Sequence, residues 1–456
     1  MPSFLILFVH RHFAFRYPEL HAIYTLYGLN FDTLLGDIDS LPDPNLSPVL
    51  RVHLPTIEAA KFLSERGILI KGVYQVWGAV EPIDPTESPT YDQLAASIRS
   101  SLSSDKLAIL ENPATSWRMN VESFGKKLSM EEQERIRGEL RDSLPFKGPV
   151  QMKDSTETFL ILEEVDINVK NATLEKPKRL YFLRQIAGSE RNRGRGGARD
   201  LIDIHTLKRR AYIGPTSMES EIALLMCNMA LVRPNDIVID PFIGTGSVLI
   251  PCAKYGAMCV GSDIDFRVLL GTGVGVSGSI PPKERTRRQR KLNESKPINA
   301  NGSDQKRVNV VSNFKQYGLP LPEIIRADNS HSPIWERCIG FFDAVICDPP
   351  YGIRAGARKT GRQGAKRSQG NGSHIDHKDP YIIPTQPYGP EDVMKDLLEF
   401  AARTLRVGGR LVYLFPTTVG TSYIIPTHPK LRLLFMSEQQ ITSKYARQLL
   451  TMEKLE

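Results

Sequence analysis

The segment AVICDPPYGIR, residues 344–354, joins a buried-strand pattern to a carboxylate and two prolines. Ala344, Val345, Ile346 and Cys347 form the short apolar run of a strand covered on both faces. Pro349 and Pro350 carry no N–H, so the hydrogen-bond ladder ends there, while Asp348 and the Pro349 carbonyl remain acceptors. A proline also holds the residue before it extended, which sets the direction of Asp348. Two rigid acceptors beside the ring of Tyr351 suit an amino group on a nucleobase: the acceptors take its hydrogens and the ring stacks on the base. A proline-terminated strand with an exposed tyrosine is the plain alternative.

Three further acids stand at expected strand ends. NDIVIDPFIGTGSVLI, residues 235–250, reads as a buried strand ending at Asp240. Gly244 and Gly246 then make a tight turn into a helix beginning near Ser247, where backbone N–H groups can approach a ligand. In MCVGSDID, residues 258–265, Asp263 ends the next strand, with Asp265 as a spare, at the spacing expected of an acid that binds ribose hydroxyls. EIIRADNS, residues 323–330, ends a third strand at Asp328, placed to accept from an adenine amino group. Each acid alone reads equally as a loop or N-cap residue. Three at successive strand ends point to the ligand-binding edge of an open α/β sheet.

The elements that must position these residues follow from the rest of the 456-residue chain. From about residue 207 to 456, alternating helix and strand patterns predict a doubly wound, Rossmann-like α/β domain. It is interrupted at about 277–307 by a polar, basic stretch that reads as a disordered insertion. Residues 1–85 alternate strand, helix, strand, helix, strand, the pattern of a small ferredoxin-like α/β module. A proline-rich linker leads to a second α/β module over 86–187, with a capping box predicted at Ser129 and Glu132. Residues 188–206 contain GSERNRGRGGAR and read as a basic connector. With 59 Lys+Arg against 51 Asp+Glu, the chain carries a formal charge of +8, which favours a polyanionic partner. Its five cysteines show no CxxC spacing, so neither a disulfide framework nor an intrinsic metal site is expected, and a reduced, cytoplasmic protein is. No stretch reads as a membrane span.

DPFIGTGS, GSDID, RAD and DPPYG, in that order, resemble motifs I to IV of S-adenosylmethionine-dependent amino-methyltransferases. LKRRAYIGPTSMESEIALLMCNMA, residues 207–230, resembles the segment before motif I in a narrower family, the catalytic subunits of eukaryotic tRNA guanosine-10 N2-methyltransferase. GVYQVWGAV and the terminal TMEK agree with it. The resemblance implies S-adenosyl-L-methionine as cofactor, tRNA as substrate, an RNA-binding THUMP domain over 86–187, and a small zinc-binding activator subunit completing a heterodimer. Asp348, Pro349, Pro350 and Tyr351 are then the catalytic set, and Asp240, Phe242, Gly244, Gly246, Asp263 and Asp328 line the cofactor.

Thr216 and Ser217 join the cofactor set by a separate reading: Thr216 with Glu219 fits a capping box opening a helix to Leu231, whose free N–H groups can face the cofactor's carboxylate, structural capping alone being the equal alternative. Lys208, Arg209, Arg354, Arg358 and Lys359 are candidate RNA contacts. The last three begin a basic run, with Arg362, Lys366 and Arg367, that reads as a lid over the site or as a solvated loop. The expected reaction is methylation of the N2 amine of guanine, with no covalent nucleophile. An adenine-N6 methyltransferase uses the same four-residue motif and stays open as a reading, as does a nonenzymatic RNA-binding protein.

Overall fold

The computed structural model describes residues 1–82, 84, 87–165, 176–188, 197–272, 277–278, 308–332, 334–350, 358–360 and 385–456. They form two compact units, Met1–Asp200 and Leu201–Glu456.

The first unit is built on one six-stranded sheet. Its strands are β1 (Ser3–Phe8), β2 (Val49–His53), β3 (Ile70–Val80), β4 (Trp117–Phe124), β5 (Glu157–Glu164) and β6 (Arg179–Gly188), in the order β2-β1-β3-β6-β5-β4. Strands expected in two modules share this sheet, because β3 pairs antiparallel with β6 from Gly72–Gly188 to Val80–Leu180. Only β4 and β5 run parallel. Helices Tyr91–Ser101 and Met130–Asp142 pack on Trp77, Phe159 and Phe182. Both open with complete capping boxes, Thr90 with Gln93 and the predicted Ser129 with Glu132. Each box satisfies two otherwise orphaned backbone donors.

The second unit is the doubly wound domain read from the sequence. A two-residue ribbon pairs β7 (Tyr212–Ile213) with β10 (Ser277–Gly278), so the first two residues of the expected insertion are strand. The rest of that insertion, 279–307, lies outside the described residues. The main sheet contains β8 (Ile237–Asp240), β9 (Met258–Asp263), β11 (Glu323–Arg326), β12 (Phe342–Cys347), β15 (Leu405–Thr418), β16 (Leu431–Gln440) and β17 (Tyr445–Lys454), in the order β11-β9-β8-β12-β15-β17-β16. The first five are parallel; β17 runs antiparallel to β15 and β16. A small hairpin, β13 (Arg358–Thr360) with β14 (Thr385–Pro387), lies outside the main sheet.

Strand order reverses between β8 and β12, the topological switch point where open α/β sheets leave a crevice for ligands. Both strands are apolar because helices cover both faces: Val345, Cys347 and Ile239 belong to the core formed with Leu397, Phe400 and Leu405. Each such fully buried large side chain contributes about 1.5–3 kcal/mol. No helix among the described residues is long and apolar enough to cross a membrane.

A candidate active site at the carboxyl edge of the parallel strands

The loop after β8 and the segment after β12 open side by side. Ala344 and Val345 pair with Val238 and Ile239, so Asp240 and Asp348 leave adjacent strands at the same edge. Asp240 is almost completely buried, and its Oδ1 accepts from the Phe242 N–H at 2.9 Å. Burial pushes its carboxyl well above the usual range, and the nearby Asp263 and Asp348 carboxylates push it further. Pro349 is buried and Pro350 half-buried beside it.

Asp263 ends β9, where Gly244 N–H donates to its Oδ2 at 3.1 Å and Asp265 N–H to its Oδ1 at 2.9 Å. Burial raises this carboxyl to about 6. Gly244 has φ +50 and Gly246 φ +80, both left-handed. The two glycines differ in purpose. A Cβ on Gly246 would sit 2.9 Å from Val310 Cγ1, whereas around Gly244 nothing lies closer than the Phe242 carbonyl oxygen at 3.9 Å. Gly246 admits the helix Val310–Gln316; Gly244 leaves its backbone open to a ligand. Asp265, the spare, caps the helix Phe266–Leu270 and pairs with Arg267 at 2.8 Å.

Three expectations change in detail. The helix after the glycine turn begins at Leu249, not Ser247, because Gly246 N–H closes a turn on the Ile243 carbonyl at 2.7 Å. Thr216 does not cap a helix: it is exposed, and the helix is Ser220–Met229 with Glu219 at its N-cap and no side-chain cap. The preceding residues fold instead as a turn, in which Ser217 Oγ accepts from Gly214 N–H and lies 2.8 Å from Thr245 Oγ1. Ser217 thus braces the glycine loop through Thr245. Asp328 ends two residues past β11, but its oxygens are engaged: Oδ1 accepts from Ser330 N–H and hydroxyl, and Oδ2 from Thr360 N–H at 2.6 Å and Thr360 Oγ1 at 2.7 Å. Four donors match a carboxylate's acceptor capacity, which leaves no room for an adenine amino group in this arrangement.

Of the basic candidates, Lys208, Arg209 and Arg358 are exposed. Lys359 lies 5.1 Å from the centre of the Tyr388 ring and 3.7 Å from Asp392. Tyr351, Arg354, Arg362, Lys366 and Arg367 lie outside the described residues. Cys347 and Cys252 are buried, and burial holds both thiols well above their usual range, which suits neither to nucleophilic attack.

The chain aligns with proteins named tRNA (guanine(10)-N(2))-methyltransferase TRMT11. The human protein is 32% identical over 455 residues, covering 99% of this chain and 88% of that one. The Gallus gallus protein is 33% identical, covering 100% and 88%, and that of Dictyostelium discoideum 33% identical, covering 100% and 82%. This chain belongs to the TRMT11 family. Family models agree: the Tmrp11 THUMP N-terminal domain matches residues 2–191, and the RMKL-like methyltransferase domain residues 208–363. Among solved structures, TrmN from Thermus thermophilus aligns with 99% of this chain and 100% of its own at 16% identity, with a TM-score of 0.43.

Two residues of this TRMT11-family chain escape a reading by motif. Thr360 holds Asp328, and Arg447 on β17 points Nη1 at Asp348 Oδ2, 3.9 Å away. Neither sits in a motif; only the fold brings them to the site.

Proposed function

We propose that this chain transfers a methyl group from S-adenosyl-L-methionine to the exocyclic N2 amine of a guanosine in tRNA, the nucleotide at position 10 named for its relatives. The observation that carries this reading is the position of Asp348 and the Pro349 carbonyl: at the switch point, beside the Asp240–Gly246 loop, in a chain matched along its length to tRNA guanine-N2 methyltransferases.

The residues fit such a cofactor. Asp263 offers both carboxylate oxygens from a position locked by loop N–H groups, suited to ribose hydroxyls. Gly244 leaves open backbone beside it. When bound, the cofactor supplies an electrophilic methyl group on a sulfonium centre. The guanine amine is a weak nucleophile because its lone pair is delocalised into the ring. Asp348 and the Pro349 carbonyl accept its two hydrogens, favour the pyramidal geometry, and stabilise the positive charge that develops on nitrogen, which is relieved when one N–H bond breaks and its proton passes by way of Asp348 to solvent. Asp348 also fixes the amine in line for transfer. The guanine leaves its stack to reach this edge, and Tyr351 is assigned to stack on it.

On the strength of the family resemblance, the chain works in the cytoplasm as the catalytic subunit of a heterodimer with a small zinc-binding activator. Incubation with labelled cofactor and bulk tRNA, with and without that subunit, tests the function. Label in N2-methylguanosine supports it; label in N6-methyladenosine assigns the chain to the adenine class; no label under either condition rejects catalysis.

A further inference from the structure

The antiparallel turn at the end of the main sheet has a chemical consequence. Because β17 runs against the parallel strands, its first residues, not its last, reach the edge where β8 and β12 end. Arg447 is one of them, opposite Pro416 of β15 and Gln439 of β16. Its Nε donates to Gln439 Oε1 at 2.6 Å, which fixes the plane of the guanidinium. Nη1 then faces Asp348 Oδ2 at 3.9 Å, with the two side chains 18% and 26% exposed. The pair is sheltered enough for its charges to interact with little screening.

Burial shifts both neighbours of Asp348, the Asp240 carboxyl of β8 and the Cys347 thiol of its own strand, toward their neutral forms. Arg447 is a cation that the structure sets beside Asp348. A carboxylate that must accept hydrogens from a weakly basic amine loses that capacity when it takes up a proton, since a protonated carboxyl presents a donor of its own.

We propose that Arg447 is a positioning residue for methyl transfer: its guanidinium, anchored by Gln439, keeps Asp348 ionised and aimed at the substrate amine. This rests on the assignment of Asp348 as the amine acceptor. Arg447 acts through Asp348 and needs no contact with the base.

The test is the pH dependence of kcat and kcat/KM on tRNA, measured for the full chain co-expressed with the zinc-binding subunit. The variants are Arg447→Met, Arg447→Lys and Gln439→Leu, and cofactor affinity is measured in parallel. An opposite charge this close lowers a carboxylate pKa by roughly 1–3 units. Arg447→Met therefore moves the acid limb up by about one unit or more and lowers kcat by about 10-fold at pH values on that limb, with a smaller loss at pH 7 and cofactor Kd changed by less than about threefold. Arg447→Lys recovers most of the rate, and Gln439→Leu shifts the limb by less in the same direction. A loss equal at every pH, or no loss, overturns the role of Arg447 while an active wild type leaves the function standing. If Arg447→Met does not fold, an unshifted limb in Gln439→Leu overturns it. A wild type that methylates no tRNA overturns the function and the role together.

Discussion

Asp328 and Thr360 are joined twice: the Thr360 N–H and hydroxyl both donate to Asp328 Oδ2, at 2.6 and 2.7 Å. An acid just past the end of β11 thereby holds β13, the strand that follows Pro349 and Pro350 in the chain by eight residues or more. These bonds, with those from Ser330, hold the Asp328 carboxyl below its usual range against the opposing effect of burial.

Loss of this tie should loosen the site. Asp328→Ala leaves the half-buried Thr360 and Ser330 donors without their acceptor, and should lower stability by about 1–3 kcal/mol. Thermal unfolding should show a drop of roughly 2–10 °C for a unit of this size. Thr360→Val, which keeps the N–H donor, should cost less than half as much. An unchanged unfolding temperature in Asp328→Ala would refute the tie.

The two glycines of the turn should separate function from folding. Gly246→Ala combines a left-handed φ with a Cβ 2.9 Å from Val310, and should destabilise the domain by about 2–4 kcal/mol. Gly244→Ala carries only the conformational cost, about 1–2 kcal/mol, yet places a methyl group in the space assigned to the cofactor. Its cofactor Kd should rise more than about 10-fold, a factor equal to about 1.4 kcal/mol. Calorimetric titration beside thermal unfolding reads both effects; equal cofactor affinity in Gly244→Ala and wild type would contradict the assignment.

Asp263 predicts a pH window for cofactor binding. Its carboxyl stands near 6 in the folded chain against 3.8 for an ordinary aspartate, because burial disfavours the charged form. The folded state therefore holds a proton that the unfolded state has released between these values. Without cofactor, this group's contribution to stability is complete below about pH 4 and is lost as pH rises through 6. Cofactor binding follows the opposite course, since an ionised acceptor makes the stronger hydrogen bonds to hydroxyls. Affinity should be flat above about pH 7 and weaken by up to about 10-fold per unit below 6. Asp263→Asn should bind weakly with no such pH dependence. Uniform wild-type affinity from pH 5 to 8 would rule out this role.

The parallel core was legible because strands buried on both faces are written as uninterrupted apolar runs, such as Val238–Ile239 and Ala344–Cys347. The acids that end those runs could be placed at one edge from the parallel topology alone. What escaped the reading depends on pairings distant in sequence. β3 and β6 meet in one sheet across a hundred residues, and their alternation shows strands but not partners. Thr216 and Glu219 satisfy the spacing of a capping box, yet Ser217 is drawn instead to Gly214 and Thr245, a competition that spacing cannot express. Arg447 carries no motif, since its importance arises from the reversal of β17.

In the proposed mechanism, a strand stopped by prolines at the switch point gives Asp348 to the substrate amine. Single-turnover transfer of labelled methyl to tRNA by Asp348→Ala, with cofactor affinity measured on the same preparation, tests it most directly. Transfer should fall by about 100-fold or more, with cofactor Kd within about threefold of wild type, equivalent to less than about 0.7 kcal/mol. Transfer at the wild-type rate by an Asp348→Ala chain that binds cofactor normally would contradict it.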